Sequence, residues 1–195
     1  NSVDLYDGRQ HTVLYETYRG CPFKCSYCIW GDMETKLDLF PIEQVLNDME
    51  LLYNNPNVRL VYFADACVFY TRERAKLIID KIASCKYQHP TLMALDILQM
   101  NEEMAGCLKK VNFHENAIHF GLQSTDSNTL DMSGRRADPP IFRKNIATLR
   151  RVYPDAELSF DIIHGLPGDN YEKYRETINF GLSMEPRKLY FSNLI

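Results

Sequence analysis

Apolar and polar positions along this chain follow two rhythms that take turns. Short runs rich in β-branched and aromatic residues occur at 12–17 (TVLYET), 58–64 (VRLVYFA), 91–97 (TLMALDI), 116–122 (NAIHFGL), 157–163 (ELSFDII) and 188–194 (KLYFSNL). Such runs, bounded by turn-forming residues, predict strands. Between them the apolar positions recur every three to four residues. In 41–55, Ile42, Val45, Leu46, Met49 and Leu52 form one stripe, and Pro41 suits a first helical turn. The same spacing predicts helices over 71–85, 101–111, 138–153 and 170–184, with Thr71, Asn101, Asp138 and Asn170 as N-caps.

Strands alternating with helices in this way predict βαβ units and a parallel sheet. Periodicity alone leaves open whether that sheet is flat or curls into a barrel. No repeat, low-complexity tract or Gly/Ser linker interrupts residues 1–195, so the chain reads as one domain. It begins with Asn and stops inside an apolar run, and is expected to be an excerpt of a longer protein. In parallel α/β folds ligands sit at the carboxyl ends of the strands. The loop 18–31 follows the first strand directly and therefore falls at that end.

Charge narrows the picture only a little. With 22 basic and 26 acidic residues the net charge is -4, which builds no positive field, so nucleic acid is not the expected partner. No run approaches the roughly 18 apolar residues of a membrane span, and no secretory signal is evident. Six cysteines, three of them clustered, do not look like a disulfide framework in a chain able to build its own core. Metal or redox chemistry in a reducing cytoplasm is expected.

The cluster is GCPFKCSYCIW, with Cys21, Cys25 and Cys28 spaced x3 and x2. Structural zinc takes four ligands, so a fourth would have to be found. His11 precedes the first strand and lies about 20 Å from the loop along an extended chain. His114 precedes the fourth strand, again at the wrong end. His164, after the fifth strand, reads as the only histidine near the ligand end. An iron–sulfur cluster suits the spacing better: three thiolates hold three irons of a four-iron cluster and leave the fourth free for a cofactor or substrate. Phe23, Tyr27, Ile29 and Trp30 are placed to shield it from water.

Cys21-x3-Cys25-x2-Cys28, with Tyr27 before the last cysteine, resembles the signature of the radical S-adenosylmethionine (SAM) enzymes. The resemblance implies a partial (β/α)6 TIM-like barrel and a [4Fe–4S] cluster whose open iron is chelated by SAM. It implies one-electron cleavage of the sulfonium to a 5′-deoxyadenosyl radical that abstracts hydrogen from an unactivated carbon. The segment FGLQSTDSNTLDMSGRR resembles one in which Gln123 and Ser124 face the ribose and Arg135 pairs with the methionyl carboxylate; Arg136 reads as a solvated neighbour. Asp161, an acid inside an apolar run, needs a partner or a site, and its family counterpart bonds a ribose hydroxyl. Gly165, with Gly168 around Pro167, forms a turn beside the adenosine. Ala64 and Asp65 of FADA stand where many members carry Gly-Gly-Glu, and Asp96 faces the same mouth or caps a helix. Tyr27 completes the implied cofactor contacts. Cys67 is a candidate pocket residue, and Cys85 and Cys107 read as small core residues.

The wider pattern resembles the cobalamin-dependent branch, whose members methylate unactivated carbons or phosphorus, or contract a nucleotide ring. That implies cobalamin bound mainly by a domain outside this chain, a small-molecule substrate, and an electron donor such as flavodoxin or ferredoxin. The alternatives are a cobalamin-free RNA methylthiotransferase or porphyrin-pathway enzyme, or a non-catalytic iron–sulfur or zinc module.

Overall fold

A computed structural model describes residues 7–32, 37–68, 71–135 and 137–194; Arg136 lies outside them. Six parallel strands follow in chain order: β1 (His11–Tyr15), β2 (Val58–Phe63), β3 (Thr91–Leu92), β4 (Ala117–Gln123), β5 (Glu157–His164) and β6 (Lys188–Asn193). Strand β2 lies between β1 and β3, pairing Tyr15 with Phe63 and Tyr62 with Leu92. Strand β5 lies between β4 and β6 and pairs Asp161 with both Gly121 and Tyr190. The bridges Thr91–Phe113 and Leu95–Phe120 join the two halves. The strand order is thus 1-2-3-4-5-6, the parallel partial barrel expected.

Besides one four-residue turn at Ile29–Asp32, the helices described are α1 (Ile42–Tyr53), α2 (Arg72–Ser84), α3 (Glu102–Leu108), α4 (Ser127–Met132), α5 (Pro139–Val152) and α6 (Tyr171–Leu182). Thr71, Asn101, Asp138 and Asn170 each accept a backbone N–H three residues on, as their side chains foretold. Two differences have local causes. The third strand is shorter than 91–97 because the chain leaves the ladder after Leu92: Ala94 O accepts from Val68 N–H, and Asp96 caps a 3₁₀ turn through Leu98 N–H. Helix α4 is too short to show a period in the sequence; its signal is Asp126, which accepts from Thr129 N–H and hydroxyl. Among the described residues no helix is long and apolar enough to cross a membrane.

In β2, β4 and β5 residues facing the helices form the core, while β6 is exposed at all but Leu189. Val61, Phe63, Phe120, Phe160 and Ile162 are all at most 1% exposed and pack on Val45, Met49, Ile78, Ile79 and Phe142. Burying each such side chain contributes roughly 1.5–3 kcal/mol. The other face of the strands looks inward, toward the hollow of the barrel, and carries the polar groups described below.

One buried histidine ties stability to pH. His89 stacks on Tyr87 at 5.4 Å and its Nε2 meets Asn55 O at 3.1 Å. Burial holds its pKa below the usual 6.5, so below that pH the unfolded chain binds more protons than the folded one and stability falls on acidification. Urea unfolding at pH 7.5 and 5.5 is expected to show a smaller acid loss for His89→Gln than for the unaltered chain.

Candidate active site

The cysteine loop leaves β1 through Thr17 and Tyr18, and this root is held firmly. Asp65, at the end of β2 and only 4% exposed, accepts through Oδ1 from Thr17 N–H (2.8 Å), the Thr17 hydroxyl (3.0 Å) and Tyr18 N–H (3.0 Å). Burial raises the Asp65 pKa against the pull of those three bonds. Arg74 of α2 donates to Thr17 O and Phe40 O. The Tyr18 hydroxyl donates to Cys67 O and accepts from Cys67 N–H.

Further along, the loop is held from the other half of the sheet. Ser26 N–H donates to Ser133 O at 2.9 Å, at the end of α4. Gly134, at φ +63°, comes so close that a Cβ there would stand 2.5 Å from Lys24 O; only glycine fits that approach in that conformation. The next residue, Arg135, thereby sits with its guanidinium 5.5 Å from the Phe23 ring centroid and donates to Gly121 O at 3.3 Å.

These anchors bring the three cysteines to one wall of a cavity of about 460 Å³ at the carboxyl ends of the strands. Cys21 and Cys25 are buried and Cys28 half-buried, and all three are free thiols. Burial pushes the Cys21 thiol up, against a hydrogen bond from the Phe23 backbone; the neighbouring Cys25 and Cys28 push the same way as burial, and Arg135 opposes them. Three thiols this close suit a metal group that would take up their sulfurs as thiolates. Tyr27 beside them is also pushed up, first by burial and then by Cys25. Among the described residues, no three His, Cys, Asp or Glu side chains are gathered as they would be around a single metal ion. Zinc needs its ligands about 2.0–2.3 Å from one centre, whereas a cubane spreads thiolates over separate irons.

The opposite wall comes from β4 and β5. A bulge between Gly121 and Gln123 puts Gln123 at φ +59°, a conformation that costs a non-glycine residue about 1 kcal/mol or more. Its side chain folds over Gly121, whose Cβ would collide with it at 2.5 Å. Gln123 Oε1, Arg135 Nε and Asp65 Oδ2 are buried without a hydrogen-bond partner among the described residues, an arrangement that is costly unless a ligand completes it.

Of the residues singled out from the sequence, Tyr27, Ala64, Asp65, Asp96, Gln123, Arg135 and Asp161 line this cavity with the three cysteines. Cys67 lines it as well. Ser124 and Gly165 stand outside it. Ser124 is buried in the turn into α4, where its Oγ accepts from Asp126 N–H. Gly165, at φ +84°, faces Leu194 O and donates its N–H to Asp169. His164 is exposed and packs edge-on against Tyr174, so it is no fourth ligand. His164 does end its strand at the ligand side, but the histidine that enters the cavity is His119, whose Nε2 lies 2.6 Å from Asp161 Oδ2. Strand alternation was the signal: 119, 121 and 123 share one face. A second cavity of about 500 Å³, between Leu98, Asp131, Asp138 and Ile141 on the far side of Arg135, holds none of the cysteines.

Residues 15–181 match the family model of the radical SAM superfamily. The chain belongs to that superfamily. Membership implies a [4Fe–4S] cluster and SAM, and this cavity has groups that fit them: three thiols on one wall, an unpartnered amide oxygen that can accept and a guanidinium nitrogen that can donate. Among curated relatives, the chain is 27% identical over 168 residues to the tRNA-2-methylthio-N(6)-dimethylallyladenosine synthase of Helicobacter acinonychis, covering 82% of this chain and 38% of that one. Among solved structures, the fold is similar to the radical SAM methyltransferase TsrM of Kitasatospora setae, with tryptophan and aza-SAM bound (TM-score 0.79, 16% identity, 94% of this chain and 36% of that one). It is also similar to the radical SAM enzyme HemN, coproporphyrinogen III oxidase of Escherichia coli (TM-score 0.69, 14% identity, 96% and 45%). The chain therefore spans less than half the length of each.

Proposed function

We propose that this chain is the core of an enzyme that cleaves SAM reductively and uses the radical for hydrogen abstraction at an unactivated carbon. The observation that carries the reading is the meeting, in one cavity, of Cys21, Cys25 and Cys28 with the buried, unpartnered polar atoms of Gln123 and Arg135. When bound, the cluster supplies the single electron that breaks the sulfonium bond. The chain's own groups do the positioning. Arg135 offers a fixed cation to a carboxylate, Gln123 and Asp161 offer acceptors to hydroxyls, and Phe23 and Tyr27 keep water from the thiolates.

Cobalamin use, with methylation or ring rearrangement as the outcome, is our reading for the full protein. It is supported by the likeness of fold to TsrM, which has also been solved with cobalamin and a [4Fe–4S] cluster bound. A second reading, methylthio transfer to RNA, is supported by the likeness in sequence to the tRNA-modifying synthase. The net charge of -4 does not set RNA aside for a protein of which this is one part.

The test is anaerobic reconstitution of the full protein with iron and sulfide. About four irons and four sulfides per chain are expected, with 5′-deoxyadenosine and methionine formed in equal amounts from SAM and dithionite. One zinc without sulfide, or a cluster that leaves SAM intact, overturns the reading. Bound corrinoid in the same preparation decides for the cobalamin branch.

A further inference from the structure

His119 belongs to none of the motifs read from the sequence, yet the fold builds a specific place for it. Gly121, the register partner of Asp161 on β4, has no side chain, so His119 one pleat deeper is the next group on that face. From there Nε2 reaches Asp161 Oδ2 at 2.6 Å. Tyr190, the partner of Asp161 on β6, lays its ring against the imidazole at 5.1 Å and 59°. The imidazole is thus held by a ring as well as by a carboxylate. Among the described residues this is the one hydrogen bond of the Asp161 carboxylate, and its other oxygen is left for a ligand. On the far side of Gly121 stands the folded-back Gln123 amide, its Oε1 buried and unpartnered. Two acceptors beside a residue with no side chain suit a ligand that donates from two neighbouring hydroxyls.

We propose that His119 is a positioning residue: by donating from Nε2 it fixes the Asp161 carboxylate so that the second oxygen accepts from the ribose diol of the adenosyl ligand. A carboxylate free to rotate about its last bond presents that oxygen only part of the time. A charge-assisted bond from a ring braced by Tyr190 limits this freedom. The inference rests on the radical SAM reading and adds a residue to it.

The experiment uses the full protein carrying its cluster, under anaerobic conditions, and measures binding by calorimetry. The probes are S-adenosylhomocysteine and its 2′-deoxy analogue. The unaltered protein is expected to prefer the diol-bearing ligand. His119→Leu is expected to weaken that ligand about tenfold, the size of one charge-assisted bond, and to leave the deoxy analogue unchanged. His119→Gln, which keeps a donor near the Nε2 position, is expected to restore most of the loss. Asp161→Asn is expected to erase the preference. Equal binding by His119→Leu and the unaltered protein overturns the proposal, and so does an equal weakening of both ligands, which marks a merely structural role. If the unaltered protein binds neither ligand, the radical SAM reading falls first and the proposal with it.

Discussion

Cys25→Ser is expected to lower 5′-deoxyadenosine formation more than about a hundredfold, beyond the tenfold to hundredfold that follows loss of an outer-shell partner at a metal site. Cys25 is buried on the cavity wall, and with it gone the loop keeps two thiolates where a cubane with one open iron needs three. Iron and sulfide content should fall in step with the product, because the defect is in holding the cluster. Cys85→Ala is the control. Cys85 lies just past α2 with its thiol toward Lys81 O, and burial keeps it protonated; cluster content and product are expected to stay as they were. Should Cys25→Ser retain a full cluster, the assignment of the three ligands fails.

Asp65→Ala is expected to cost about 4 kcal/mol of stability, because it strands two backbone N–H groups and a hydroxyl that now share Oδ1, at roughly 1–3 kcal/mol for each buried donor left unmade. The same change unties the root of the cysteine loop, so cluster content should drop even where the fold survives. Asp65→Asn retains an acceptor at that place and relieves the burial of a charge; it is expected to lie close to the unaltered protein in stability. Denaturant unfolding of the three proteins, with iron analysis of each, checks both statements. An alanine variant as stable as the unaltered chain would show that Thr17 and Tyr18 need no such anchor.

Much of this architecture was legible in advance, for reasons that differ from residue to residue. The four caps could be read because a short polar side chain before an apolar stripe has one favourable use. The strands could be read because short runs of β-branched and aromatic residues stand between turn-forming ones. What escaped depended on groups distant in sequence. Gln123 carries no mark of its left-handed backbone, which follows from a bulge against β5. Gly134 reads as an ordinary turn residue until Lys24 O is seen against it. The sequence pattern points Asp65 at the cofactor, and it does line the cavity, but the chain also uses it to tie down a loop 48 residues earlier. His119 carries no motif signal in the sequence, being a histidine inside an apolar strand; its meaning comes from Asp161, 42 residues away.

Along the sheet itself the two halves of the barrel meet only at short bridges, Thr91–Phe113 and Leu95–Phe120, while behind them α5 packs on α3 and donates from Asn145 to Ile97 O. The cysteine loop straddles this seam, tied to Asp65 and Arg74 on one side and to Ser133 on the other. It works as a stitch. Anything that draws the three sulfurs together tightens the thread, so loading the loop should slow hydrogen exchange along β3 and β4 as well as within the loop itself.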